Sequence, residues 1–427
     1  MSSPGSFGTF PLSVRLLLIN HLLGNIGFYM LIPFLADYLL SDLALSAAVI
    51  GVVLGVRNLS QQGLFLVGGT ASDRLGARGV IIAGAAIRAA GFAMFAVGGS
   101  LPVVLLGSVL TGFAGALFNP AVRAYIARAG GDRSAHAFAL FNVMGNTGSA
   151  IGPLIGTLLL GAGFRLTAVA AAAVFAALTV AQLILLPAST VAARHTTLGA
   201  DLVRVFTDLR FWGFAVALMG MFALQSQIYF LFTLQVQQLA GPAAVAALFL
   251  VETVAVVACQ VPITRALSIR PDRGPAMAAG MALLGAAFLL PPSAALYPAP
   301  SGAGPLALTI RLLPVLAGAV VLAIGVAMVQ PFVNEAIPRF AGDALTGSYF
   351  GAFYLASGVF TVSTTAGLGA LVDRSGSPFA WPPALCCTAV GVLSALGILV
   401  LRGRGILPAA GTPLPRQTPT TKGGTHR

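Results

Sequence analysis

Gly69-Thr70-Ala71-Ser72-Asp73-Arg74-Leu75-Gly76-Ala77-Arg78 is a short charged island between two long, mostly apolar runs, 46–69 and 79–98. Each run supplies the ~20 residues that a helix needs to cross about 30 Å of hydrocarbon. Two such runs joined by so short a polar segment read as a helical hairpin with its loop at a membrane surface. Similar runs recur outward from it, near 12–39, 101–127, 135–161 and 164–187. A second set follows near 210–239, 243–265, 275–297, 306–335, 345–371 and 380–401. Twelve spans are therefore expected.

Composition supports a bilayer as the solvent. Hydrophobic residues make up 58% of the chain and charged residues 8%, against about 25% charged in soluble proteins. So few charges cannot cover a soluble surface. The net charge of +12 is not the footprint of a nucleic-acid binder, because the basic residues lie between spans and in the tail without aromatic interleaving. With the N-terminus inside, Arg165, Arg311 and Arg374 fall outside, and Arg57 and Arg88 fall within spans. The other eighteen of the 23 basic residues face the cytoplasm, as the positive-inside rule requires. Trp212 and Trp381 stand at span ends, as an interfacial belt would place them. The polar start, Met1 to Pro11, precedes an apolar run too long for a signal-peptide core, so that run is expected to be the first span.

The longest cytoplasmic connection, 188–209, divides the spans six and six. The expected layout is an N-terminal bundle over 1–187, an amphipathic surface linker over 188–209, a C-terminal bundle over 210–401 and a disordered cytoplasmic tail over 402–427. In the linker Leu198, Leu202, Val205, Phe206 and Leu209 form a helical stripe opposite Asp201, Arg204 and Asp208. The halves carry traces of a repeat. At an offset of 211, Pro120, Ile126, Arg128, Gly131 and Asp132 meet Pro331, Ile337, Arg339, Gly342 and Asp343. Duplicated halves around a midplane site are a common plan for secondary transporters.

Cys259, Cys386 and Cys387 lie in apolar runs and imply no disulfide framework, and the four His show no metal-ligand spacing. No nucleophile–base constellation and no phosphate loop is present, so neither an enzyme nor an ATP-driven pump is expected, and no cofactor. Charges inside a membrane are costly and mark pathways. Glu252 is the one acid near a span centre, and unless protonated, paired or hydrated it is costly there. It is the candidate proton site, against the reading of a structural carboxylate bonded to span five or to a lipid-shielded partner. Arg57, midway along span two, could face a cavity or serve structure. Arg88 in span three reads as structural. Asn20, His21, Gln225 and Gln227 could bond a substrate, and Met219, Met221, Phe222, Tyr229, Phe230 and Phe232 of span seven could line an adaptable pocket. Asp37, at the outer end of span one, reads as solvated.

The opening stretch is similar to the signature loop of the major facilitator superfamily, G-x-x-x-D-R-x-G-R-[RK], with Ala77 where the first base after the second glycine would stand. In that reading Gly69 permits close backbone approach and Gly76 a tight turn. Asp73, flanked by Arg74 and Arg78, would face Arg123 or the N-terminus of span eleven and latch the two halves. In span five, Gly148-Ser-Ala-Ile-Gly152-Pro153-Leu-Ile-Gly156 resembles the antiporter signature of the same superfamily, with Thr157 replacing the last glycine. Its three glycines share a face that a neighbouring helix could approach, and Pro153 bends the span. A close contact between the halves is the expected result.

Further stretches resemble the drug/proton antiporter branch and its MdtH-like multidrug group: Leu17-Leu-Ile-Asn20-His21, Gly55-Val-Arg57-Asn-Leu-Ser-Gln61-Gln62-Gly63, Ile87-Arg88-Ala-Ala-Gly91-Phe92 and Phe118-Asn-Pro120. The chain departs from that pattern at Ser108, where relatives often carry an arginine, and at Asn20, where they tend to carry an acid. The resemblance implies an all-α membrane protein of the major facilitator fold, monomeric, with twelve helices in two pseudo-symmetric bundles. It implies export of amphipathic organic compounds, cationic ones among them, in exchange for protons, with import of a small polar metabolite as the alternative. High Ala, Gly and Arg with a single lysine, Lys422, suggest a GC-rich bacterial source, and with the spans and the placement of basic residues the chain is expected in the inner membrane with both termini cytoplasmic.

Overall fold

The computed structural model describes residues 10–65, 67–68, 71–72, 76–130, 134–187, 204–270, 272–296 and 305–407. Gly69, Asp73 and Arg74 of the signature loop, most of the linker and the tail from 408 lie outside them. Among the described residues there are helices and no strands. In chain order the spans of the first half are α1 (Leu12–Ser41), α2 (Ala47–Gly63), α3 (Ala77–Val97), α4 (Leu101–Gly130), α5 (Ser134–Leu160) and α6 (Phe164–Leu185). The second half has α7 (Leu209–Ala240), α8 (Ala243–Ser268), α9 (Gly274–Leu296), α10 (Ala307–Phe340), α11 (Ser348–Ser375) and α12 (Trp381–Gly403). Eleven are long and apolar enough to cross a membrane by themselves. The twelfth, α2, is a 17-residue helix whose last third carries Arg57, Asn58, Ser60, Gln61 and Gln62.

Local chemistry sets the helix ends. The Ser46 hydroxyl accepts the Val49 amide at the start of α2, and Asp208 accepts the Arg210 and Phe211 amides at the start of α7. Helices α10 and α11 form one helical run, yet Phe340 and Phe353 both pack on the Phe214 ring, at 5.1 and 6.1 Å between centroids. Thirteen residues of straight helix would hold them roughly 20 Å apart, so the chain folds back between them. Pro120 and Pro331, partners in the repeat, fall inside the corresponding helices α4 and α10.

Apolar side chains cover the outside as well as filling the core, and polar ones are drawn inward. Leu158, Ile184 and Leu393 are exposed, whereas Asn20, Arg57, Gln182, Gln227 and Gln235 are buried within an otherwise apolar interior. That distribution suits a hydrocarbon solvent, which accepts apolar side chains and excludes unsatisfied polar ones. The halves meet along two seams, α2 against α11 and α5 against α8. On the first, a Cβ at Gly55 would come within 2.8 Å of the Val362 Cα, so the backbones approach at contact distance. At its α2 N-terminal end, Asp373 accepts the Ala47 and Ala48 amides at 2.8 and 2.9 Å, one per carboxylate oxygen.

Candidate functional site: a central polar cavity and its side chamber

A cavity of about 300 Å³ lies between the halves, at the lower end of the range for small-molecule sites. Helix α1 offers Asn20, His21, Gly24, Asn25 and Phe28 to it, a spacing that keeps them on one helical face. Helix α2 offers Arg57, Asn58, Gln61 and Gln62 by the same periodicity. Arg88 of α3, Asn119 of α4, Gln225 and Tyr229 of α7 and Gln330 of α10 complete the polar lining, and Phe118, Phe175 and Phe222 the apolar part. Glycines on α4 bring α2 close. A Cβ at Gly112 would meet the Ser60 Cβ at 2.8 Å.

The two arginines are held by neutral groups. Arg57 is 6% exposed. Its Nη1 donates to Asn58 Oδ1 and its Nη2 to Gln61 Oε1, each at 2.9 Å. Its guanidinium carbon lies 4.6 Å from the Phe28 ring centre, in cation–π range. Arg88 lies over Phe175 and Phe118, at 5.4 and 5.8 Å. Its Nη2 borders Gly115, where an added Cβ would be 2.9 Å from it and 3.1 Å from Gln61 Cδ. Gln61 thus stands between the two guanidinium groups. Arg88, read from the sequence as structural, reaches the central cavity with its side chain.

His21 stacks on Phe141 at 3.5 Å with the rings 10° from parallel, while the Asn25 amide donates to its Nδ1 at 3.3 Å. It is a packed histidine with one edge on the cavity. Asn20 is buried and lines the cavity beside it.

Glu252 occupies a second chamber, of about 150 Å³, along the α5–α8 seam with Asn146, Ser149, Thr253 and Gln260. Tyr29, Gln225 and Gln330 line both chambers, so these three side chains form the wall between them. Among the described residues Glu252 makes no hydrogen bond or ion pair, which disfavours a carboxylate fixed to span five. In the wall, Tyr29 and Tyr229 share a hydroxyl hydrogen bond of 3.1 Å that joins the two halves. Phe249 packs on both rings.

Several expectations change here. Gln227 faces the core rather than the cavity, and its amide donates to the Ala223 carbonyl at 2.8 Å and to Thr365 Oγ1 at 3.0 Å. It ties α7 to α11. Of the aromatic and sulfur side chains of α7, only Phe222 and Tyr229 line the cavity, whereas Met221, Phe230 and Phe232 are buried in packing. Met219 lies on an apolar groove between α7 and α12. Asp37 is partly buried and accepts a bond from Ser41.

The glycine face of α5 packs against α1 of its own half, not across to the other. Cβ atoms at Gly148, Gly152 and Gly156 would meet Asn25 Cβ, Tyr29 Cβ and Phe34 Cε2, each at 2.7 Å. The close approach sets α1, and with it Asn25 and Tyr29, against the cavity. Pro153 lies inside α5, and Thr157, in place of the motif's last glycine, donates its hydroxyl to the Pro153 carbonyl at 2.9 Å.

In the signature loop Gly76 has φ 88°, a conformation that favours glycine. Arg78 donates to the Leu186 and Leu183 carbonyls at 2.6 and 2.9 Å, capping the end of α6. Both of these bonds lie within the first half. Arg123 is exposed near the end of α4. The second half has a counterpart that the sequence reading missed. Asp272-Arg273-Gly274 opens α9 as Asp73-Arg74-Leu75-Gly76 precedes α3. Asp272 accepts the Gly274 amide at 3.0 Å and Arg402 Nε at 2.6 Å. Arg273 and Arg339 both pair with Glu335. The acid–Arg–Gly triplet after span eight was the available signal.

The sequence profile of the Major Facilitator Superfamily matches residues 17–365. An uncharacterised MFS-type transporter of Mycobacterium tuberculosis is 40% identical over 379 residues, 88% of this chain and 87% of the relative. The multidrug resistance protein MdtH of Aeromonas hydrophila is 29% identical over 385 residues, 89% of this chain and 93% of the relative. Among solved structures, an auto-inhibited peptide transporter of the POT family superposes with a TM-score of 0.77 at 17% identity, covering 94% of this chain and 99% of that one. That likeness is one of fold.

Proposed function

The chain belongs to the major facilitator superfamily, and from that premise we propose that it exports amphipathic small organic compounds in exchange for protons. The observation that carries the coupling is Glu252, an acid unpaired among the described residues, in a polar chamber one side-chain layer from the central cavity. The MdtH relatives, named for multidrug resistance, support drug-like cargo.

In this reading the two halves rock about the central cavity, opening it to one side of the membrane at a time. Cargo entering from the cytoplasm lodges among the amides of α1 and α2, and Glu252 releases its proton inward. After the halves close inward and open outward, cargo leaves and Glu252 takes a proton from outside. The neutral carboxyl no longer opposes the return, because its desolvation cost is gone. Asp373 on the α2 N-terminus and the Tyr29–Tyr229 bond are contacts that the outward opening would break. The protein would act as a monomer in the bacterial inner membrane, with both termini cytoplasmic.

Import of a polar metabolite is the second reading, and the amide-rich lining favours it: Asn20, Asn25, Asn58, Asn119, Gln61, Gln225 and Gln330 are more hydrogen-bonding groups than an apolar drug needs. Energised everted vesicles with a pH-sensitive dye separate the two. Compounds that collapse the proton gradient, with the response lost in Glu252→Gln, support coupled export. Silence across a drug panel, with the protein present, and uptake of a polar metabolite in whole cells support import.

A further inference from the structure

We propose that the cargo carries an oxyanion, such as a carboxylate, which docks between Arg57 and Arg88 at Gln61. The inference rests on the transporter reading of the central cavity and names the class of compound it takes. Two guanidinium groups line one cavity between the apolar spans, and among the described residues no carboxylate pairs with either. Their partners are two amide oxygens and three phenyl faces. Neutral groups of this kind soften the burial of a cation without neutralising it, and charges held inside a membrane normally pair or line a pathway.

The geometry also fits a shared ligand. Gln61 accepts from Arg57 Nη2 at 2.9 Å, and its side chain borders Arg88 Nη2 across the space above Gly115. An oxyanion entering at that point could accept from both guanidinium groups, and a planar fork suits a carboxylate's two oxygens. Glu252 does not supply the missing charge, because it lies in the other chamber behind Tyr29, Gln225 and Gln330. A cationic compound would meet two like charges, so the cationic cargo suggested by the sequence is disfavoured. An amphipathic anion would place its ring among Phe28, Phe118, Phe175 and Phe222.

The test is binding to the purified full chain in phosphatidylcholine nanodiscs, without any gradient. The probes are 2-naphthoate, 2-naphthamide and 2-naphthylmethylammonium, three compounds of similar shape and different charge. Naphthoate should bind at least about tenfold tighter than either neighbour. Arg57→Gln and Arg88→Gln should each erase that preference, and Arg57→Lys should retain part of it. Three results overturn the proposal: an ammonium probe that binds as well as the carboxylate, a preference that survives in both arginine variants, and no binding of naphthoate at millimolar concentration. Loss of the preference when phosphatidylglycerol is included would give the site to a lipid headgroup and overturn it as a cargo site. An Arg57–Glu252 pair formed in another state would show as loss of the preference in Glu252→Gln, which also counts against the proposal. Because binding is read without transport, failure of export leaves this result standing, and its failure leaves export standing.

Discussion

The two halves divide the intramembrane charge between them. The first half brings Arg57 and Arg88 to the central cavity and no described acid, whereas the second brings Glu252 to the adjoining chamber. Their shared frame, with in-helix prolines at Pro120 and Pro331 and acid–Arg loops before α3 and α9, makes that difference conspicuous. The halves thus share their prolines and acid–Arg loops while their intramembrane charge differs. One half is specialised to hold cargo and the other to hold the proton, in the reading proposed above.

The sharpest way to break that division is to remove the acid. Glu252→Gln should reduce proton-driven efflux by on the order of 100-fold, the upper range for a coupling free energy. Gradient-free exchange of cargo across proteoliposomes should persist in the same variant. Loss of both together would mean that Glu252 supports structure or cargo, and the division would fail.

The seam between the halves offers the next test. Asp373→Asn keeps the shape and loses charge at the α2 N-terminus, where two backbone amides are bound. A cost of about 1–2 kcal/mol is expected, shifting the balance of states by roughly five- to thirtyfold. Hydrogen exchange at the start of α2 reads this directly, and unchanged protection there would remove Asp373 from the list of closing contacts.

Within the first half, Gly152→Ala forces a methyl to within 2.7 Å of the Tyr29 Cβ. Overpacking of this kind costs about 1–3 kcal/mol, visible as a lower unfolding temperature in detergent. An unaltered temperature would show that α1 and α5 can separate freely, so that the glycine face does not position Tyr29. The smallest effect should come from Gly115→Ala, which pushes Arg88 away from Gln61 and preserves both charges. Affinity for naphthoate should fall about threefold, under 1 kcal/mol, while unfolding stays near wild type.

The fold was legible because hydrocarbon imposes length and composition on every span, and twelve long apolar runs leave few arrangements. Glu252 stood out for the same reason, as an acid in such a run. The cavity was less legible, because hydropathy does not fix how a helix is rotated. Gln225 and Gln227 show the limit. Two residues apart, they point roughly 200° apart around a helix, so one lines the cavity and the other bonds Thr365 in the core. A short 3₁₀ turn at Gln227–Tyr229 shifts the register further. Arg88 was not read as a cavity residue for a related reason, since its long side chain reaches the cavity from α3. The glycine face of α5 packs closely on α1, but a pattern of small residues does not say which helix approaches.

The contact between Asp373 and α2 has a consequence for how the protein can change. On one side the contact depends on a single side chain, and on the other it depends only on main-chain amides that every residue except proline possesses. Substitution at positions 47 and 48 therefore leaves both bonds available so long as the close contact of buried Ala47 with Gly369 is kept, while position 373 is held to a residue that can accept two bonds. Proline is the informative exception, because the first turn of a helix tolerates it well. Ala47→Pro would delete one amide and leave α2 otherwise suited to its ring, loosening the closure from the side that side-chain substitution cannot reach. The demands across this seam accordingly differ in kind: small side chains along the start of α2, where Gly369 packs, and one acceptor at a single position of α11.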